Sequence, residues 1–137
     1  MKKYVILMFV LLAMVGCSTI KNSSNSASSK AQPSLLNTQW RLEDSVKGKT
    51  PTLVIENEKL SGNAGCNNYF GTITLDASNG SFAAKNIGST RMACPNMQAE
   101  ANFLKMLNEA NRYVSKNGTL ELYKDQLLLM KLTQMGK

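Results

Sequence analysis

The chain has no histidine. That removes the side chain that most often serves as a general base near neutral pH, and with it the commonest metal ligand. Cysteine is scarce, three in 137 residues, and neither a Cys-x-x-Cys pair nor a cluster of acids accompanies it. No zinc or calcium site is therefore expected, and no cofactor. The nine acidic residues are dispersed, and the basic ones never form a block, so the positive charge reads as a solvated surface. No apolar run approaches the ~20 residues that cross a bilayer as a helix. The longest, Tyr4 to Val15, has 12.

What is present begins with an address. Met1-Lys2-Lys3, that apolar run and Gly16-Cys17-Ser18 make a charged n-region, a short h-region and a small residue before a cut, so residues 1–16 are expected to be a signal peptide. Met14-Val15-Gly16-Cys17 resembles the bacterial lipobox, with Met14 where Leu is usual. The resemblance implies that Cys17 is lipidated, with palmitate among the fatty acids, and becomes the first mature residue. Ser18 in place of Asp favours the outer membrane, facing the periplasm. The formal charge of +7 falls to about +5 once Lys2 and Lys3 leave with the signal. Such a surplus favours anionic surfaces without specificity, and export argues against nucleic acid. Residues 17–34 are poor in apolar side chains and are expected to be a flexible tether between lipid and domain.

From residue 35 to 137 the pattern is short alternating segments divided by turn signals, as in an antiparallel β domain. Thr38 to Glu43 turns Trp40 and Leu42 to one side. Thr52 to Glu56 and Lys59 to Gly62 flank an Asn57-Glu58 hairpin, and Gly71 to Asp76 alternates with Ile73 and Leu75 inward. Asn79-Gly80 offers type I′ chemistry before a returning strand from Ser81, and Asn117-Gly118 offers another turn. The last strand, Gln126 to Leu132, is apolar on nearly both faces, which predicts a central or helix-covered position. Between the strands, Met97 to about Asn111 carries Phe103, Leu104, Leu107 and Ala110 at helical spacing. Asn96 is its expected N-cap, and Glu100 stands in the first turn, where the helix dipole favours an acid.

The densest stretch is Ser61-Gly62-Asn63-Ala64-Gly65-Cys66-Asn67-Asn68-Tyr69-Phe70-Gly71. Its glycine spacing fits neither a P-loop nor a dinucleotide fingerprint, so Gly62, Gly65 and Gly71 read as positions of positive φ, a bulge or close strand approach. Tyr69 and Phe70 should face opposite ways. With Cys17 assigned to lipid, Cys66 and Cys94 remain as an even pair in an oxidising compartment, either bonded to each other or buried as free thiols. The stretch is expected to be a structural corner. Any recognition surface on it would involve Asn67, Asn68, Tyr69, Thr90 and Arg91.

Together, Trp40, the Leu60 to Gly71 stretch, Ile87-Gly88-Ser89-Thr90-Arg91-Met92-Ala93-Cys94-Pro95, the Phe103-Leu104 helix and the closing apolar strand resemble the META domain of HslJ-like bacterial lipoproteins. The resemblance covers roughly residues 34–133. It implies a mainly β, antiparallel barrel-like or lipocalin-like domain with one inserted amphipathic helix, exported to the envelope. It links the chain to stress tolerance without a ligand or reaction. The expected role is therefore a lipid-anchored, non-enzymatic module supporting envelope stress tolerance, bound to the membrane through Cys17 and to a candidate envelope protein partner. The competing readings are an inhibitor or carrier, taking a periplasmic enzyme or an apolar molecule, and a thiol enzyme with Cys66 activated by Arg91 or a lysine.

Overall fold

The computed structural model describes residues 30–136, and in it eight strands close a barrel in sequence order. They are β1 (Thr38–Leu42), β2 (Thr52–Glu56), β3 (Lys59–Asn63), β4 (Asn68–Asp76), β5 (Ser81–Ser89), β6 (Arg112–Lys116), β7 (Thr119–Lys124) and β8 (Leu127–Gln134). Each pairs antiparallel with the next, and β8 returns to β1 through Leu42↔Leu132 and Trp40↔Gln134. One helix, α1 (Met97–Glu109), lies between β5 and β6 in sequence. The mainly β, barrel-like architecture with a single helix is the one expected. The segments expected to be signal peptide and lipobox, with Cys17, and most of the expected tether lie outside the described residues.

Period-2 patterning decides which face of each strand is inside. Trp40 and Leu42, Leu53 and Ile55, Leu60, Tyr69 and Ile73, Phe82 and Ala84, Leu120 and Leu122, and Met130 and Leu132 form one buried cluster. Phe103 and Leu107 of α1 join it, with the Phe103 ring edge-on to Tyr69 at 5.7 Å. The barrel interior is thus a packed core.

The β5–β6 seam has a single paired position, Ser81↔Arg112, and α1 packs along β5 beside it. The chain before β1 helps to close the same seam. Gln32 donates its backbone N–H to Ala77 at 2.6 Å, its side-chain Oε1 accepts from Ser115 N–H at 3.0 Å, and the Tyr113 hydroxyl donates to Pro33 O at 3.1 Å. Leu35 follows, fully buried. Among the described residues, bonds to the barrel begin at Gln32, inside the stretch expected to be tether.

Two local expectations differ from what is found, and a third is met in one of its two forms. At Asn79-Gly80 only Gly80 (φ 74°) takes the left-handed conformation, because the Asp76 carboxylate captures Ser78 N–H and Asn79 Nδ2 and builds a four-residue connection instead. The type I′ geometry appears at Asn117 (φ 52°) and Gly118 (φ 76°). Asn96 stands at the N-cap position of α1 as expected, but its side chain makes no capping bond; its Nδ2 donates to Lys47 O at 2.6 Å instead. β8 takes the central one of its two expected positions, paired on both sides with β7 and β1, and is not covered by the helix. α1 lies against β5, and a register shift opposite Leu122 and Tyr123 leaves Leu127 and Leu128 exposed.

Candidate functional site

The loops β1–β2, β3–β4 and β5–α1 meet at one end of the barrel. Cys66 in the second and Cys94 in the third are joined by a disulfide, with their Cα atoms 6.2 Å apart. Asn96 ties the third to the first through Lys47 O. Two glycines permit this approach. A Cβ on Gly62 would lie 2.1 Å from Thr52 O, and Gly65 sits at φ 112°, where side chains are strained.

Asparagine amides supply the bonds that the bent backbone cannot make for itself. Asn63 Nδ2 donates to Cys66 O and to Asn68 Oδ1, while its Oδ1 accepts from Gly65 N–H at 3.0 Å. Asn67 is fully buried and does more. Its Oδ1 accepts from the Thr90 hydroxyl at 2.8 Å and from Met92 N–H at 2.7 Å, and its Nδ2 donates to Met92 O and to both Glu100 carboxylate oxygens at 3.1 Å. The Asn67 N–H adds a 2.8 Å bond to Glu100 Oε2. Glu100 is thereby held in the core-facing first turn of α1, and no buried side-chain nitrogen or oxygen among the described residues lacks a partner.

The residues singled out from sequence divide into two groups. Asn67 and Tyr69 are buried and hold the corner from within; the Tyr69 hydroxyl donates to Thr52 O at 2.7 Å, and burial pushes its pKa up, so it remains a donor. Asn68, Thr90 and Arg91 are exposed. Thr90 and Arg91 share a shallow depression of about 380 Å³ with Met92, Met97 and Glu100. Sequence reasoning missed these last three as members of the site. Glu100 had a readable signal, since 100, 103 and 107 fall on one helical face and mark an acid on the apolar stripe. Met92 (56% exposed) and Met97 (43%) carried none.

Chemically, the corner offers a rim of one guanidinium, one hydroxyl and two thioethers over a bonded carboxylate. Cys66 is in the disulfide and is not a free nucleophile. Among the described residues no group of three or more His, Cys, Asp or Glu side chains is placed to hold a metal ion.

A closed antiparallel barrel with one inserted helix and a disulfide-braced corner defines the class. The META domain family matches residues 33–135, and the chain belongs to that family. Two solution structures share the fold. One, of a protein from Burkholderia xenovorans, is 24% identical over 75% of this chain and 85% of its own, with a TM-score of 0.63. The other is 22% identical over 71% of this chain and 88% of its own, with a TM-score of 0.55. A search of curated proteins gave no match.

Proposed function

We propose that this META domain is the working part of a lipid-anchored, non-enzymatic envelope protein that supports stress tolerance by contacting an envelope protein. One observation carries the reading: a corner rigidified by a disulfide and by Asn67 ends in exposed Arg91, Met92 and Met97, with Cys66 already bonded. Arginine and methionine are enriched at protein interfaces, and a surface held in one conformation loses little entropy on binding. The address rests on Tyr4 to Val15 and on Met14 to Cys17. An inhibitor of a periplasmic enzyme would use the same rim. The carrier version has less support, because Trp40, Tyr69, Phe82 and Tyr113 occupy the barrel interior.

Two variants test the address and the surface separately. Cys17→Ala should accumulate as unprocessed precursor and take no palmitate label; labelling of that variant would refute the anchor. Met92→Ser with Met97→Ser should leave the melting temperature within a few degrees, since both side chains are exposed, but fail to restore survival of a deletion strain under envelope stress. Full restoration would refute the surface.

A further inference from the structure

The outer face of the β2–β5 sheet carries a feature that the corner does not use. Phe70 is 62% exposed, although it lies mid-strand between paired neighbours. The register explains how it stays open. Directly across from Phe70 are Ser61 on β3 and Gly88 on β5, two of the smallest residues available. The ring lies over Gly88, with Cε2 and Cζ 3.2 Å from where a Cβ would stand. Covering a strand glycine accounts for the ring's inner side. Among the described residues nothing covers the outer side.

The next row of outward residues is polar: Glu56, Lys59, Thr72 and Lys85 stand opposite one another on β2, β3, β4 and β5. A bulge between Phe70 and Thr72 gives β5 an extra residue, with Asn86 at φ 53°, and brings the Asn86 amide to the same place. Glu56, Lys59, Ser61, Phe70, Thr72 and Asn86 line one depression of about 440 Å³. That volume is within the range of small-ligand sites. A larger cleft of about 720 Å³, floored by Leu36, Ile73 and Leu75, adjoins it and shares Glu56 and Lys59.

We infer that this groove binds a neutral oligosaccharide, with one pyranose stacked on Phe70. A pyranose presents a face of C–H bonds made slightly positive by adjacent oxygens, which the negative face of an aromatic ring attracts. Its rim of hydroxyls needs donors and acceptors at the edge of the ring. The row supplies both, as hydroxyls, an amide, a carboxylate and an ammonium. Glu56 and Lys59 cancel within the depression, and Lys85 at the end of the row is offset by Glu58 in the adjoining cleft, so the groove as a whole favours a neutral ligand over an ionic one. The second cleft, which shares Glu56 and Lys59 with the first, gives room beside it for further sugars of a chain. The inference rests neither on the lipid anchor nor on the corner, so it can fail without them.

The test is saturation-transfer NMR on the full chain in a sugar-free detergent, with chitotetraose and maltotetraose as separate probes. Protein saturation should reach the ring C–H protons of at least one of them. Transfer with chitotetraose alone assigns the site to N-acetylated amino sugars, transfer with maltotetraose alone to plain hexoses, and transfer with both to the shared pyranose face. Phe70→Leu keeps Gly88 covered and should lose most of the signal, whereas Leu127→Ser, which removes another exposed apolar side chain, should not. If Phe70→Leu does not fold, Thr72→Ala tests the polar row by the same loss. No transfer to either sugar at millimolar concentration overturns the assignment. So does a signal unchanged in the folded Phe70 or Thr72 variant.

Discussion

The Asn67 side chain joins three segments: its own β3–β4 loop, the β5–α1 loop through Thr90 and Met92, and α1 through Glu100. Its amide is matched to its neighbours, with the acceptor side toward an O–H and an N–H and the donor side toward a carboxylate. Asn67→Asp keeps the size and reverses the donor side, setting one carboxyl against another in a buried place. We expect a loss of about 3 kcal/mol in urea unfolding, because the side-chain donor to Glu100 is gone and two carboxyl groups face each other in a buried place, with only the Asn67 backbone N–H still bonded to Glu100. A loss under about 0.5 kcal/mol would mean that this amide does not hold the corner. The sequence marked Asn67 as important but not as buried. The opposite facing of Tyr69 and Phe70 was legible from strand alternation, whereas Asn67's inward turn depends on the 64–67 loop, closed by the bond from Ala64 N–H to Asn67 O, which has no periodicity to read.

Among elements, those with a strong period were readable. β1, β2, β3 and β7 start where their alternation starts, and α1 declares itself through Phe103 and Leu107. The early start of β4 at Asn68 and the length of β5 were hidden, because glycine, asparagine and alanine dilute their pattern. The disulfide could be narrowed to a pair but not shown, since sequence does not give Cα separation. Replacing both cysteines by serine opens a 28-residue loop and should cost about 3–4 kcal/mol on the chain-entropy account. For a domain of this size that lowers the melting temperature by roughly 10–20 °C. Far-UV circular dichroism should be unchanged, because Asn67 still holds Thr90 and Met92. Intact mass of the parent protein should rise by two hydrogens on reduction.

The β7–β8 pair makes a second, pH-dependent prediction. The Tyr123 hydroxyl donates to Glu121, and the Lys131 ammonium lies 2.9 Å from it; together they hold the Glu121 carboxyl below the usual carboxylate range. A depressed acid contributes stability above its unfolded pKa of about 4.3 and loses it as pH falls through the lower folded value. Glu121→Gln should therefore be less stable than the parent at neutral pH, and the gap should close on acidification below about pH 4. The pair is solvent-accessible, so the effect is small, and added salt should reduce it. A gap that widens in acid would contradict this account.

Across the whole molecule, the two ends of the barrel do different work. Successive turns of an antiparallel barrel alternate between ends, so the corner loops gather at one end, while the chain enters beside the β4–β5 turn at the other, where Gln32 meets Ala77. A lipid tether entering there would leave the Arg91–Met92–Met97 rim facing away from the membrane. Composition alone placed the end of the tether at residue 34, because Gln32, Pro33 and Ser34 are as polar as what precedes them. Their role is set instead by what they meet, the open edge of β6 beyond its single pairing with β5. An unpaired strand edge invites intermolecular pairing, and this strap covers it. Leu35→Ala and Leu36→Ala separate a folded strap from a tether that merely lies nearby. Leu35 is 1% exposed, and truncating it should cost about 2–5 kcal/mol in urea unfolding. Leu36, next along the chain and 48% exposed, should cost less than about 0.5 kcal/mol. If the strap also guards the β6 edge, Leu35→Ala should self-associate more readily in sedimentation velocity, and Leu36→Ala should not. Equal and small effects at both positions would return residues 30–34 to the tether.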